Sequence, residues 1–215
     1  MEWFKKNKIL SIQLLEPKVG NKILDVGCGT GEDVLALSQM VGAGGKVVGI
    51  DIDEKMINEA KNKSKMVKNV EFRIGDVYNL DFENNTFHGC RADRVFQHIS
   101  ELEKALSEMV RVVKPGFPII ILDPDWESLL IDSPNVEFTR KFLSFHASSF
   151  ANPWSGRRLA NLFRKQKLKD IQVIADTLII TKYKEAVMIY LLEQYIEKGI
   201  GEKAFNESEA EAWKR

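Results

Sequence analysis

Apolar positions along the chain switch between a strand-like and a helix-like period, and the switch repeats up to Leu122. Residues 22–26 and 46–50 are short apolar runs of the kind that forms a strand buried on both faces. Between them, residues 32–41 put Val34, Leu35, Leu37, Ser38 and Val41 on one side of a helix. Asp53 is a capping residue for a second helix over residues 53–67, with Met56, Ile57, Ala60 and Ser64 at helical spacing. Residues 70–74 read as a third strand and residues 86–92 as a weaker fourth. Leu102, Leu106, Met109 and Val113 mark a helix over residues 101–113, which Lys114-Pro115-Gly116 stops. Ile119, Ile120 and Ile121 make residues 117–122 a fifth, buried strand.

Strands separated by helices imply right-handed crossovers and a mainly parallel sheet, hence an α/β fold. Past Asp123 the pattern loosens. Residues 125–153 mix aromatic and polar side chains without a clean period, and could be a lid or a satellite core. A helix over 155–166, a strand over 171–180 and helices over 184–198 and 207–215 follow. The organisation expected is an N-terminal helix (1–21), a main domain (22–182) with an inserted substrate-side segment (124–154), and C-terminal helices (183–215).

Composition narrows the class. At 215 residues the chain accommodates one such domain with a substantial core. Lys plus Arg and Asp plus Glu both total 31, so no global basic field points to nucleic acid. Cys28 and Cys90 form no CxxC or Cys/His cluster, so no metal site is expected. The N-terminus lacks the pattern of a secretory signal, and no apolar run approaches the roughly 20 residues of a membrane span. A cytoplasmic protein is expected, with oligomerisation left open.

The chemistry-bearing stretch is Leu24-Asp25-Val26-Gly27-Cys28-Gly29-Thr30-Gly31, where a strand must turn into a helix. Nicotinamide-dependent oxidoreductases carry a glycine-rich loop in the same place, but their fingerprint wants its third glycine at position 32, which is Glu32. Asp25 is a second discriminator. An acid there suits a ligand carrying ammonium and sulfonium charges and does not suit a diphosphate, which favours a bare helix N-terminus. Asp51 closes the second strand 20 residues after Gly31, where a carboxylate accepts from both hydroxyls of a ribose. Gly75-Asp76-Val77 follows the third strand, with Asp76 an acceptor for an exocyclic amine and Ile52 and Val77 apolar faces for a ring.

The runs LDVGCGTG, VVGIDIDEKMINEAK, GDVYNLDFENNTF and EMVRVVKPG, in that order, resemble the class I S-adenosylmethionine-dependent methyltransferases. The nearest resemblance is to the small-molecule branch containing ubiquinone and menaquinone C-methyltransferases, a type 11 methyltransferase domain. It covers residues 22–123 and implies a Rossmann-like, doubly wound, three-layered sheet. It also implies cofactor contacts at Gly27, Gly29 and Gly31, with the ribose at Asp51; Cys28, Ile52 and Met56 are further candidate cofactor-binding residues. Gly75, Asp76 and Val77 would lie at the adenine and Ala92 near the methionine moiety. Three positions depart from the pattern: His88 stands in place of an acid, Arg91 in place of an apolar strand residue, and Phe117 in place of a glycine. The family sheet finishes with two further strands, the last antiparallel. Only residues 171–180 offer a candidate here, so the chain is expected to lack the final strand, through truncation or a frame difference, or to borrow one.

Methyl transfer from a sulfonium needs orientation more than acid–base help. His98 is the candidate base, and resemblance to sugar O-methyltransferases adds Asp123 as its supporting carboxylate. Arg94, Gln97, Asp125 and Trp126 are candidate acceptor-pocket residues. Asp123-Pro124-Asp125-Trp126 differs from the Asp-Pro-Pro-aromatic motif of DNA amino-methyltransferases in its place in the fold and its missing second proline. The function expected is methyl transfer from S-adenosylmethionine to a small molecule; the alternatives are cofactor binding without turnover and a nicotinamide-dependent oxidoreductase.

Overall fold

A computed structural model describes residues 2–214 of the protein. Five strands, β1 (Lys22–Val26), β2 (Lys46–Asp51), β3 (Val70–Ile74), β4 (Cys90–Asp93) and β5 (Ile119–Leu122), form one sheet in the order β3-β2-β1-β4-β5. Every pairing is parallel, with Leu24 beside Val48 on one side and Cys90 on the other. The chain order reverses between β1 and β4, and in open sheets ligands bind in the crevice at the strands' carboxyl ends at such a reversal.

Two helical layers cover the sheet. Ile23, Val47 and Phe72 face Val34, Leu37 and Val41 of α2 (Glu32–Val41) and Ile57 and Ala60 of α3 (Glu54–Lys63). Ile12 of α1 (Glu2–Leu14) joins that side. Leu24, Val48 and Ala92 point the other way. They meet Leu102, Leu106 and Met109 of α4 (Leu102–Val112) and Leu162 of α6 (Ser155–Lys165). Successive residues of one strand therefore serve opposite cores, which is why these strands read as continuous apolar runs.

The carboxyl-terminal third departs from expectation three times. Residues 125–153 contain α5 (Val136–Ser148), capped where the Phe138 N–H donates to Asn135 Oδ1 at 3.1 Å. Its apolar period is blurred because Phe138, Phe142 and Phe145 pack onto a separate core with α7 (Tyr183–Tyr190), α8 (Leu192–Gly201) and α9 (Glu207–Lys214). The expected helix over 184–198 is broken at Leu191, which has φ 52°. The expected strand over 171–180 does not form: the segment has no regular secondary structure and joins no sheet, with Val173 70% and Ile179 80% exposed. Its composition favours a strand, but without a partner ladder that preference has nothing to act on, and β5 is left as the sheet's edge. Among the described residues no helix is long and apolar enough to cross a membrane, and no cluster of metal-ligating side chains occurs.

Candidate functional site

At the exit of β1 the chain passes through Gly27 and Gly29 before entering α2. A Cβ at Gly27 (φ 66°) would lie 2.3 Å from Val95 Cγ2, so the loop presses against the exit of β4. Gly29 (φ 53°) faces open space, with no heavy atom within 4 Å of a Cβ built there. Its N–H donates to Asp51 Oδ2 at 2.9 Å, and the Asp53 N–H donates to Oδ1 at 2.9 Å. The half-buried Asp51 carboxylate is thus fixed by two backbone bonds, and each oxygen retains capacity for another donor.

Apolar surface lies open beside that fixed carboxylate: Ile52 is 75% and Met56 41% exposed. The Gly75 N–H donates to the Asp51 carbonyl at 3.0 Å, bringing the third loop alongside. Asp76 is exposed there and accepts the Tyr78 N–H, while Val77 turns into the core and Ala92 is fully buried in β4. Cys28 and Gly31 are buried, and burial pushes the Cys28 thiol pKa well up, so no thiolate is offered.

Asp25 does not face this crevice. It is buried beneath the loop, and its Oδ1 accepts from Arg91 Nη1 at 2.9 Å. Arg91 sits beside it in register on β4, donates to Ser11 Oγ at 3.1 Å and lies 2.9 Å from both Asp33 and Asp93. The Asp25 charge is therefore met inside the protein, which replaces the expected contact with a cationic ligand. Burial pushes the Asp25 carboxyl up to about 6 against the pull of Arg91. Burial also opposes the Arg91 charge, but Asp25, Asp33 and Asp93 outweigh it and hold the guanidinium protonated. This cluster ties α1, α2, β1 and β4 into one block under the loop. The other two departures from the family pattern meet elsewhere: His88 and Phe117 pack edge-to-face at 5.0 Å, and His88 Nδ1 accepts the Lys22 N–H at 3.0 Å.

Beyond β4, Arg94 takes a left-handed backbone (φ 58°) and a short 3-10 turn follows at Phe96–His98. The Asp123 carboxylate accepts the Phe96 and Gln97 N–H groups at 2.8 and 2.9 Å and the Ser155 hydroxyl at 2.7 Å. It makes no hydrogen bond to His98. Asp123 thus caps and anchors the turn that carries His98 instead of orienting the imidazole, because the turn's own N–H groups claim its oxygens first. Burial pushes the Asp123 carboxyl up to about 6, against those three donors. His98 is exposed on one side and lies 5.9 Å from the Phe150 ring on the other; that partial burial lowers its pKa.

Gln97 is buried beside that turn. Its Oε1 accepts from Trp126 Nε1 at 2.6 Å and its Nε2 donates to the Arg94 carbonyl at 3.0 Å. Trp126 stacks on Phe150 at 4.4 Å with an interplanar angle of 11°. Asp125 does not line this surface; it pairs with Arg157 of α6, with Nη2 2.7 Å from Oδ1. Sequence reasoning missed Asp93 and Ser155. Arg91 was noticeable as a charge inside an apolar strand, whereas the other two carry no local signal.

A pinned carboxylate, exposed apolar side chains and an open glycine rim at the sheet reversal define a nucleoside-binding α/β protein. The family model for a methyltransferase domain matches residues 17–175, and the chain belongs to that family. It is 34% identical over 160 residues to the demethylmenaquinone methyltransferase of Staphylococcus haemolyticus, covering 72% of this chain and 67% of that one. It is 35% identical over 156 residues to an uncharacterized 37.1 kDa transposon protein of Streptomyces fradiae, spanning 72% of this chain and 45% of that protein's length. The crystal structure of a SAM-dependent methyltransferase from Aquifex aeolicus superposes with a TM-score of 0.58 at 27% identity, covering 74% of this chain and 77% of that one. S-adenosylmethionine is the cofactor of this class, and the chemistry of these residues fits it: a fixed carboxylate with free lone pairs would suit a ribose diol, Ile52 and Met56 would give apolar cover, and the open backbone at Gly29 would allow close approach.

Proposed function

We propose that this chain methylates a small-molecule acceptor held between the 3-10 turn at His98 and the aromatic surface of Trp126 and Phe150. The observation that carries the reading is Asp51, fixed by the Gly29 and Asp53 amides on the same edge of the sheet as His98. When bound, the cofactor supplies a methyl group on an already excellent leaving group. The chain's task is then to orient and to exclude water. Held in line, reactants reach effective molarities of about 10⁵ to 10⁸ M in favourable cases. His98, its pKa lowered by partial burial, is neutral at pH 7 and can take a proton from a hydroxyl or amine acceptor, worth about 10² to 10⁴ in rate. Asp123 acts on this step only by holding the turn. The demethylmenaquinone name of several relatives supports a small acceptor. Two free, buried thiols, Cys28 and Cys90, support a reducing compartment, the cytoplasm.

Incubating the protein with pooled metabolites and methyl-labelled cofactor tests the reading. One compound gains label in wild type. Asp51→Ala leaves the fold intact and weakens S-adenosylhomocysteine binding at least tenfold by calorimetry; unchanged affinity in a folded variant refutes the cofactor site.

A further inference from the structure

Asn7 lies in α1, outside the span of the family match, and is only 5% exposed, yet its Nδ2 has no hydrogen-bond partner. Buried amides are almost always bonded, because an orphaned donor has given up water for nothing. This one calls for an acceptor that the chain does not supply.

The packing of α1 on β4 shows where that amide stands. Asn7, Ser11 and Leu15 follow one another by a helical turn on one face of α1, and all three are buried. Gly89, Arg91 and Asp93 alternate onto one face of β4 and the residue before it. The two rows meet antiparallel: a Cβ on Gly89 would lie 3.0 Å from Leu15 Cδ1, and Arg91 Nε donates to Ser11 Oγ at 3.1 Å. Four helical residues rise about 6 Å and two strand residues about 6.6 Å, so the next pair in the series is Asn7 with Asp93. Asp93 does not take the amide; its oxygens accept from Arg91 and Arg94. Lys8 gives the same height independently. Its Nζ donates at 3.2 Å to Asp33 Oδ1, in the first turn of α2 just past the glycine loop. Asn7 therefore stands at the carboxyl edge of the sheet, at the reversal between β1 and β4.

We propose that α1 is part of the cofactor site: Asn7 Nδ2 donates to the carboxylate at the amino-acid end of the bound cofactor. This rests on the methyltransferase reading and adds to it a residue on a different element from every loop so far assigned to that site. With the ribose at Asp51 and the adenine toward Asp76, the cofactor's other end runs from β2 across the Gly27–Gly29 loop toward β4. Neighbouring strands lie roughly 4.8 Å apart, so that crossing is roughly 10 Å. The carboxylate is the one anionic group the cofactor carries, and it matches a donor left without an acceptor. The acids nearby do not repel it unopposed, because Asp33 is paired with Lys8, and Asp93 with Arg91 and Arg94.

Calorimetry on the full chain tests this with two ligands, S-adenosylhomocysteine and 5′-methylthioadenosine, which keeps the adenosine and the sulfur but has no amino-acid end. Asn7→Leu keeps the shape of the side chain and removes the donor. We expect it to weaken S-adenosylhomocysteine about tenfold, the size of one hydrogen bond to a charged group, and to leave 5′-methylthioadenosine within about twofold. Asn7→Asp sets a charged acceptor against the ligand's carboxylate and weakens S-adenosylhomocysteine further than Asn7→Leu does. Denaturation of the ligand-free protein controls for packing: Asn7→Leu leaves the midpoint unchanged or raises it, since it removes an orphaned donor without opening a cavity. Equal losses for the two ligands, unchanged affinity for S-adenosylhomocysteine, an Asn7→Asp affinity at or above that of Asn7→Leu, or a lowered midpoint overturns the inference and leaves the methyltransferase reading intact. Failure of S-adenosylhomocysteine to bind the wild-type chain overturns the reading beneath it.

Discussion

A carboxylate near a glycine-rich loop can bind a ligand or hold the protein together, and we propose that two aspartates of this chain divide those roles. Asp51 spends its bonds on backbone amides and keeps a half-exposed face; Asp25 spends its charge on Arg91. Removing Arg91 tests the second role. Arg91→Met leaves Asp25 buried without a counter-charge, a change that typically costs about 3–5 kcal/mol, read as a lower denaturation midpoint. Replacing both, Arg91→Met with Asp25→Leu, recovers much of the loss; no recovery in the double variant contradicts the pairing. The role proposed for His98 is to take a proton. His98→Ala lowers turnover about 10² or more on an acceptor that must lose a proton, with cofactor affinity unchanged. The wild-type rate rises with pH through a pKa below the ordinary 6.5, and that acid limb disappears in the variant. Full activity of His98→Ala on the true acceptor removes the proposed role. Asp51 was legible in the sequence because it ends a strand at a fixed distance from the loop. The commitment of Asp25 was not, since Arg91 lies 66 residues away and meets it only through the pairing of β1 with β4.

Short elements in this fold are held by single side chains, and the turn at Phe96–His98 is the clearest case. Asp123, with two bonds to that turn and one to Ser155 at the start of α6, joins the turn to the helix behind it. Its folded pKa of about 6 stands above the unfolded 3.8, so the fold favours the protonated carboxyl. That contribution is fully present below pH 3.8 and is lost as pH rises through about 6. Relative to Asp123→Asn, wild type should therefore lose stability between pH 4 and 7, by at most about 3 kcal/mol because the group is partly exposed. A pH-independent difference between the two proteins rules this out. Periodicity identified the five sheet strands to within a few residues because each lies in a sandwich of helices whose demand for apolar side chains is written locally. It did not identify α5, where Phe138 and Phe142 are buried by α8 and α9 instead of by the sheet, nor the break at Leu191.

At the scale of the whole molecule, two cores of unequal extent meet beside the turn after β4. The sheet and its two helical layers form the larger; α5, α7, α8 and α9 form the smaller and reach the larger through Trp126 and Gln97. The link between them over residues 171–182 has no regular secondary structure and is largely exposed, although Ile171, Val173, Ile174, Ile179 and Ile180 make it strand-competent in composition. Backbone groups without intramolecular partners exchange with solvent freely, and those in a central parallel strand only on global opening. Native-state hydrogen exchange of the full chain should accordingly be slowest in β2, β1 and β4, which are paired on both sides, and intermediate in α5 and α8. In residues 171–182 it should approach the unfolded rate. If that link is instead strongly protected, it pairs in solution with the open side of β5 or with another chain. Dilution separates these outcomes, because protection from a second chain falls with concentration and protection within one chain does not.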